Sequence, residues 1–343
     1  MMQKFSCPGI VALLLALPFV TCQKSQTSNT KPTLIYVAGS ESYGIPVYWV
    51  NGAVNLLPAN QTGSTTDLSI SGTDTCFSGT LAGAIPIYWI NNVQVTLPLG
   101  TGSQGFTSGI AAVGGDVYTS GTQQDPSGIN IAMYWHNQTA IPLTDTTTTA
   151  NTSGIAVAGA DVYVAGNTAN LQDHIYHATL WKNGVKNILP DSINGSNAFR
   201  VTIVNSDIYV AGKVIAGSTL NNIPAYWKND TLKLLELGPG EQGIAVSVAV
   251  SGADVLVAGF VTRNGISVAT YWKNGVPFYL TDGTQNGSAS DIAILGSDVY
   301  ISGREYNSTY SVYLAKYWLN GNGVIVGSTS FDSFASAIHV ISQ

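Results

Sequence analysis

The sequence predicts an all-β fold, a seven-bladed β-propeller with four antiparallel strands in each blade, and three observations support this prediction. All seven tryptophans of the chain occur in one recurring motif, spaced 40, 46, 46, 46, 45 and 46 residues apart. A second motif, D-V-Y-V-A-G at 161–166, recurs before the tryptophans. The two ends of the repeat region carry complementary parts of one unit. Four short strands at a period of about 44 residues are typical of a propeller blade.

Each repeat reads as four strands in a fixed order. Strand A is a short apolar stretch such as Gly154 to Gly159, and strand B is the D-V-Y-V-A-G motif that follows it. Strand C carries the tryptophan, in the pattern A-x-Y-W-K, and strand D follows, as in V-K-N-I-L-P at 185–190. Asn stands two residues after every Trp, and Gly comes next in four repeats. An Asn-Gly pair between apolar runs indicates a two-residue hairpin turn, which requires positive φ angles.

The ends of the repeat region predict that the ring is closed by both termini. The first unit begins at strand B, with L-I-Y-V-A-G at 34–39, and so lacks a strand A. The segment Ser336 to Ser342 resembles a strand A without partners. We therefore expect a closing blade in which the C-terminal strand A pairs with the N-terminal strands B, C and D, because this leaves no open edge between the first and last units.

The N-terminal sequence predicts the cellular location of the protein. Residues 1–22 read as a signal segment, with Lys4 before an apolar run from Gly9 to Val20 that is too short to span a bilayer. Cys22 takes the place of the lipidated cysteine of a bacterial lipoprotein. Residues 23–32 then form a polar tether and 33–343 the propeller. We expect a lipid-anchored protein of the bacterial cell envelope. Secretion is the alternative, because Thr21 replaces the usual small residue before the cysteine.

Composition limits the partners. Charged residues make up 9% of the chain, against about 25% in typical soluble proteins. The net charge is −6, which argues against a nucleic-acid partner, since such a protein needs a basic surface. Disorder is excluded by the 45% hydrophobic content. We expect a monomer without cofactor or bound metal. Cys76, in an apolar strand, is expected to be a buried small hydrophobic residue.

The repeats resemble those of uncharacterised bacterial lipoprotein β-propellers that carry recurring A-x-Y-W-K-N-G units. The resemblance covers about 33–343 and rests on the motif around each tryptophan. It implies the propeller fold and the lipid anchor. It implies no activity, because none is attached to that group.

The recurring residues are interpreted as scaffold. The tryptophans are expected to fill the space between neighbouring blades. Lys182, Lys228 and Lys273, each directly after a Trp, are expected to be solvated. The aspartates that begin strand B are expected to bind backbone N–H groups near a turn, with a ring of calcium ligands as the alternative. These aspartates are Asp74, Asp116, Asp161, Asp207, Asp254 and Asp298.

The longer connections predict where a ligand binds. The A–B and C–D turns are short and uniform, whereas the B–C and D–A connections are longer and differ between blades. Strand polarity alternates within a blade, so both variable sets emerge on one face, and variable loops on a rigid scaffold favour binding. Arg304, Tyr306 and Phe331 are candidate contacts in these loops.

A second set of candidates comes from one aligned position in strand A, which is expected near the channel mouth. Charged residues occupy it in three repeats, as Asp67, Arg200 and Asp291, and small residues in the other four. These charges are interpreted as contacts for an ion or a polar ligand, with a structural ion pair as the alternative.

The sequence favours a non-catalytic binding or interaction module whose ligand is a protein, a peptide or a glycan. The alternative is a carboxylate-dependent glycan hydrolase or lyase at the channel mouth, since several loops carry acids. A secreted eukaryotic glycoprotein, suggested by N-x-[ST] sequons, is the third hypothesis. No serine-hydrolase, zinc-protease or phosphate-loop motif occurs. His174 and His177, beside Asp173, are interpreted as ordinary loop residues, with a metal pair as the alternative. The loop acids are Glu41, Asp125, Asp173, Asp191, Glu241, Asp282, Glu305 and Asp332.

Overall fold

The structure is a computed structural model, and it describes residues 32–42, 44–100, 104–172, 174–191, 194–217 and 221–343. The signal segment 1–22 with Cys22, tether residues 23–31 and Asp173 lie outside the described residues. Among the residues described, no helix is long and apolar enough to span a bilayer.

The described chain is built from strands. The first three blades in chain order contain β1 (Thr33–Glu41), β2 (Ile45–Val50), β3 (Ala53–Leu56), β4 (Gly63–Ser71), β5 (Asp74–Leu81), β6 (Ile85–Ile90), β7 (Val93–Thr96), β8 (Gln104–Val113), β9 (Asp116–Gln124), β10 (Asn130–His136) and β11 (Thr139–Pro142). Blades 4 and 5 contain β12 (Thr148–Ala158), β13 (Asp161–Asn170), β14 (His177–Lys182), β15 (Val185–Ile188), β16 (Ser196–Val204), β17 (Asp207–Ala216), β18 (Asn221–Lys228) and β19 (Thr231–Leu234). The remainder is β20 (Gln242–Ser251), β21 (Asp254–Arg263), β22 (Ile266–Lys273), β23 (Val276–Tyr279), β24 (Gly287–Leu295), β25 (Asp298–Asn307), β26 (Val312–Leu319), β27 (Asn322–Ile325) and β28 (Ser333–Ser342).

These strands form seven four-stranded antiparallel sheets, which confirms the predicted seven-bladed β-propeller. Blade 1 has the strand order β28-β1-β2-β3, and blades 2 to 7 follow in chain order from β4 to β27. The first strand of each blade, strand A, is innermost: β4, β8, β12, β16, β20, β24 and β28 contact one another in sequence, and β28 contacts β4. The seven inner strands therefore form a closed ring around a central channel.

Both termini close the ring, as the sequence predicted. Strand β28 pairs antiparallel with β1, with Val37 opposite Ile338 and Ala38 opposite Ala337. Trp49, Val47 and Val37 from the N-terminal strands share one buried cluster with Ala335, Ile338 and Val340 from the C-terminal strand. Residues from opposite ends of the chain thus share one core, which fixes the closure.

A β-bulge interrupts strand A in every blade. In blade 2 the register shifts between Thr65 and Asp67, opposite Gly79 and Ser78 of strand B. The same shift recurs in blades 1 and 3 to 7. A bulge bends its strand and re-aims the side chain that follows it. Here it turns the residue after each bulge toward the channel, which creates the aligned position that the sequence singled out.

The tryptophans fill the space between blades, as predicted, and all seven are 0–1% exposed. Four of them also bind the preceding blade. In each case the indole Nε1–H donates a hydrogen bond to a backbone carbonyl oxygen that follows strand D of that preceding blade. The acceptor is Pro58 for Trp89 and Pro98 for Trp135, at 2.7 and 2.8 Å. Trp227 and Trp272 make the same bond. The motif therefore supplies both packing and a directional link between blades.

The recurring aspartate has a different partner from the one expected. In blade 4 the turn residue Asn183, at φ 50°, accepts a hydrogen bond from the Val162 N–H and donates its Nδ2 to Asp161. Lys182, expected to be solvated, pairs with the same Asp161 at 2.8 Å. The Asn side chain, not the carboxylate, binds the backbone. The Asn–Asp bond recurs in blades 2, 3, 5, 6 and 7.

The connections divide between two faces as predicted, but their lengths differ from expectation. The A–B and C–D turns are two residues long, as in the turn between Ser71 and Asp74. The B–C connections range from two residues after Arg263 to six after Asn170. The D–A connections span five to seven residues and are more uniform than expected, because each strand A begins several residues before its apolar stretch. The B–C and D–A connections form what we call the loop face.

Candidate functional site

The three charged residues of the aligned position meet inside the channel. Arg200 Nη1 lies 2.8 Å from Asp67 Oδ1, and Arg200 Nη2 lies 2.7 Å from Asp291 Oδ2. Arg200 belongs to blade 5, Asp67 to blade 2 and Asp291 to blade 7, so one guanidinium links three blades. We call these three residues the channel triad. Small residues, including Gly109 and Gly154, leave room for the inner strands to approach closely beside it.

Further groups donate hydrogen bonds to the two carboxylates of the triad. Asp67 Oδ2 accepts the N–H of Ile110, from blade 3. Asp291 accepts the hydroxyl of Ser247 at 2.6 Å and the N–H of Ile338. The two carboxylate side chains are 3–4% exposed, whereas the Arg200 side chain is 24% exposed. This network joins blades 1, 2, 3, 5, 6 and 7.

Burial and charge pairing act in opposite directions on the pKa of Asp67 and on that of Arg200. Burial raises the pKa of the Asp67 carboxyl, although the Arg200 charge acts in the opposite direction. The two carboxylates hold the pKa of Arg200 above its ordinary value against the effect of burial. His339, on β28, lies in the field of Asp291 and Arg200, and burial lowers its pKa. Ser247 occupies the same aligned position in blade 6, whereas no sequence feature pointed to His339 as a neighbour of the triad.

The triad lies deeper than the sequence suggested. Asp67 is the fifth residue of the nine in β4, so the aligned position is midway along the inner strand rather than at its start. The three residues were candidate ligand contacts. The structure brings them together with one another, and each carboxylate is bonded to Arg200 and to backbone or hydroxyl donors. Structural pairing, the alternative interpretation, accounts for these contacts.

A groove on the loop face brings together two other candidates. It has a volume of about 620 Å³ and lies where blades 7 and 1 meet. Arg304 and Phe331 both line it. We call it the blade 7–1 groove and define it by Glu41, Ser42, Arg304, Phe331, Asp332 and Phe334. Its walls come from both ends of the chain. Glu41 ends β1 and Ser42 follows it, whereas Arg304 belongs to β25 and the other three precede or belong to β28.

Arg304 is held between two aromatic rings at the wall of the groove. Its guanidinium carbon lies 4.5 Å from the ring centroid of Tyr313 and 4.4 Å from that of Phe334. Tyr306, the third loop candidate, contacts Tyr313 edge-on with ring centroids 5.3 Å apart. Tyr306 lines a separate, smaller cavity with Glu305 and Lys316. Tyr306 therefore contacts one of the rings beside Arg304 and is not among the residues that line the groove.

The described loop carboxylates that the enzyme hypothesis needs all have hydrogen-bond or ion-pair partners. Hydrogen bonds, chiefly the one from the Ser127 hydroxyl, lower the pKa of Asp125 although burial acts in the opposite direction. The Thr284 N–H and hydroxyl lower the pKa of Asp282. In the groove, Glu41 accepts the N–H of Ser328, and Asp332 accepts that of Tyr313. These carboxylates shape the loops.

His177, a further sequence candidate, has a local partner. His177 Nδ1 lies 2.7 Å from Asp191 Oδ2, which also accepts the Ser196 hydroxyl. Across the described part of the chain, no group of three or more His, Cys, Asp or Glu side chains is arranged to hold a metal ion. Cys76 is 1% exposed, and burial raises the pKa of its thiol to about 11. The thiol is thus protonated at neutral pH.

Comparisons with known proteins add a fold likeness. No protein-family model matches the sequence, and no curated protein does. The chain is similar in structure to the β-propeller domain of the Trilobed protease from Pyrococcus furiosus, described as having an open velcro topology, at 9% identity and a TM-score of 0.50 over 86% of this chain and 99% of that one.

Two other solved structures have lower scores. The WD40 repeats of RRP9 match at 14% identity and a TM-score of 0.46, over 77% of this chain and 83% of that one. The SapL1 lectin in complex with alpha methyl fucoside matches at 12% identity and a TM-score of 0.44, over 77% and 95%. At such identities the likeness concerns the fold alone.

Proposed function

We propose that the protein is a non-catalytic binding module that holds its ligand in the blade 7–1 groove on the loop face. The observation that carries this proposal is the environment of Arg304. A guanidinium stacked between two rings opens onto a concave site of about 620 Å³. Concave sites with aromatic walls and a few placed polar groups are the usual ligand sites of proteins.

The geometry of the groove favours binding over hydrolysis by carboxylates. A glycosidase of that kind needs one carboxyl that is protonated at working pH and a second that is free to act on the sugar or on water. Glu41 and Asp332, the acids that line the groove, each accept a backbone N–H that fixes a loop. The buried carboxyl with a raised pKa, Asp67, is paired with Arg200 in the channel.

Phe331→Ala tests the groove. We expect the full chain to bind a member of a glycan and peptide array, and Phe331→Ala to weaken that binding about tenfold, because a central aromatic contact contributes about 1–2 kcal/mol. Titration calorimetry measures the affinity. Phe278→Ala is the matched control, since Phe278 is 44% exposed on the outer strand β23 and stacks on Tyr271. Equal affinity of both variants and the parent chain would contradict the proposal.

We also propose that the module is held at a bacterial envelope by lipid on Cys22. The support is the sequence of residues 1–22, in which a charged start and an apolar run end at this cysteine.

Cys22→Ser tests the anchor. In a bacterial host, the parent chain is expected to enter the detergent phase of Triton X-114 and to incorporate labelled palmitate. Cys22→Ser is expected to lose the label and move to the aqueous phase, because the acyl chains supply the membrane affinity. Cys76→Ala, which removes a buried cysteine, is the matched control and keeps the label. An unlabelled parent chain in the culture medium would favour the secretion alternative.

A further inference from the structure

Arg304 has no direct ion-pair partner within the described ranges of the chain, although Asp332 lies near enough to act on it by charge. Among the residues that the structure describes, none places a carboxylate within 4.0 Å of its guanidinium nitrogens, and none accepts a hydrogen bond from them. Lys316, nearby in blade 7, instead pairs with Glu305 at 2.6 Å. Arg263 of blade 6 likewise pairs with Glu241 at 2.7 Å. Both arginines stack on tyrosine rings, so Arg304 differs from Arg263 in lacking the acid.

The position of Arg304 leaves its hydrogen-bond donors facing the loop face. The side chain is half-buried, and burial lowers the pKa of its guanidinium. A planar guanidinium carries five N–H donors, and stacking on two rings satisfies none of them. Arg304 lines the blade 7–1 groove and also a cavity of about 340 Å³ toward blade 6. Its donors are therefore available to a ligand on the loop face.

The acids beside Arg304 limit the negative charge that a ligand can carry into the groove. Glu41 and Asp332 line it and stay where their backbone N–H partners hold them. Their charges leave the surroundings of Arg304 negative overall, and the whole chain has a net charge of −6. A multiply charged anion such as a phosphate monoester is repelled by such a field. A single carboxylate is repelled less, and it matches the planar fork of the guanidinium, with which it can form two parallel hydrogen bonds.

The rest of the groove fits a polyhydroxylated ligand. Ser40, Ser42, Ser311 and Ser330 line it, and their hydroxyls can both donate and accept hydrogen bonds. Phe331 offers a half-buried ring face beside them. The Arg304 cation, the Phe331 ring and several hydroxyls are complementary to a sugar ring that carries a carboxylate.

We propose that the blade 7–1 groove binds an acidic sugar, a glycan residue whose carboxylate pairs with Arg304 while its ring lies against Phe331. This inference rests on the proposed function and names the ligand class of the same groove.

The test compares acidic sugars with their neutral counterparts. The probes are tetramers of galacturonic acid and of glucuronic acid, together with the same tetramers after carboxyl reduction, titrated into the full chain. We expect at least one acidic tetramer to bind about tenfold or more tightly than its reduced form, and this difference to shrink as salt rises. The comparison uses the unaltered chain, so it decides the question even where a variant unfolds.

Variants of Arg304 test whether this side chain causes the preference for acidic over reduced tetramers. Arg304→Gln is expected to weaken binding of the acidic tetramer about 10- to 100-fold and to leave the reduced tetramer unchanged. Arg304→Lys is expected to restore only part of the affinity, because an ammonium neither stacks nor binds a carboxylate with two parallel bonds. Lys213→Gln is the matched control. Lys213 bonds Asn222 on the loop face of blade 5, away from the groove.

The outcomes separate the two proposals. Binding of a neutral glycan or a peptide that Phe331→Ala weakens and Arg304→Gln does not would overturn the acidic sugar and leave the groove as the binding site. Tighter binding of a sulfated neutral tetramer than of either uronate would assign the anion to sulfate and overturn the carboxylate. Absence of binding to every glycan and peptide tested would overturn both proposals.

Discussion

Gly39→Ala is expected to destabilise the propeller by about 3 kcal/mol or more, at the blade that both termini close. Gly39 of β1 lies opposite the bulge of β28. A Cβ on Gly39 would overlap the Phe334 carbonyl oxygen and lie 2.8 Å from Cζ3 of Trp49. Neither group can move away, because one is backbone and the other is a fully buried ring. Urea unfolding followed by tryptophan fluorescence measures the loss.

The control for Gly39→Ala is Gly100→Ala. A Cβ on Gly100 meets its nearest neighbour, Gln123 Oε1, at an ordinary 3.5 Å, so the free energy of unfolding is expected to change by less than about 0.5 kcal/mol. Gly121→Ala, the same clash inside blade 3, is expected to cost as much as Gly39→Ala. Only Gly39→Ala should also expose the C-terminal strand 333–342 to proteolysis. A Gly39→Ala chain as stable and as protease-resistant as its parent would contradict the role given to the closure.

The repeat made the fold predictable. Blade number, strand number and the pairing of the termini follow from seven Trp-x-Asn motifs and from the missing strand A before Thr33. These are properties of pattern and spacing, which sequence records directly. The buried positions of the tryptophans follow from the same pattern, because a large ring that recurs in every blade needs a recurring space to fill.

The partners of the recurring Asp were predicted wrongly, and the reason is geometrical. Both Asn183 and Asp161 stand at turns, and either side chain can bind a backbone N–H. The register between strands B and C places the side-chain amide of Asn183 beside the backbone of strand B, where its oxygen accepts a backbone N–H. The Asp161 carboxylate therefore accepts a hydrogen bond from the amide nitrogen of Asn183 and pairs with Lys182. Sequence spacing shows that these residues recur, but the pairing depends on which strand ends face each other.

The sequence predicted some of the residues that line the groove, but it did not predict that they meet in one site. Arg304 and Phe331 were candidates because of their chemistry and their position in the loops, and ring closure brings them beside Glu41 from the other end of the chain. The sandwich of Arg304 between Tyr313 and Phe334 depends on the bulge in β28 and on the register of β25 with β26. Such contacts between strands have no local sequence signal. Blades 1 and 2 carry Ser40 and Thr80 at the position of Arg304, but blade 5 carries another cation there, Lys213, so the residue type alone did not mark the site.

Arg200→Met is expected to lower the free energy of unfolding at pH 7 by about 3–5 kcal/mol. Removal of the guanidinium leaves Asp67 and Asp291 buried in the channel without their counter-charge. The bonds from Ile110, Ser247 and Ile338 remain, but they satisfy single oxygens and do not neutralise charge. The loss should be largely recovered in the triple variant Asp67→Asn, Arg200→Met, Asp291→Asn, because it removes both charges. The triple variant distinguishes lost charge pairing from lost packing.

The pH dependence of Arg200→Met gives a second test of the same pairing. Burial already raises the pKa of Asp67 above 3.8 in the parent chain, and the Arg200 charge opposes that rise. Without Arg200 the folded-state pKa rises further above the unfolded value, so the cost of ionising Asp67 is present at neutral pH and disappears as pH falls through the folded pKa. Arg200 also lowers the pKa of His339, so its removal favours the protonated imidazole and acts in the same direction. The stability difference between parent and variant should therefore be smaller at pH 5 than at pH 8, whereas a constant difference would mean that Arg200 contributes by packing alone.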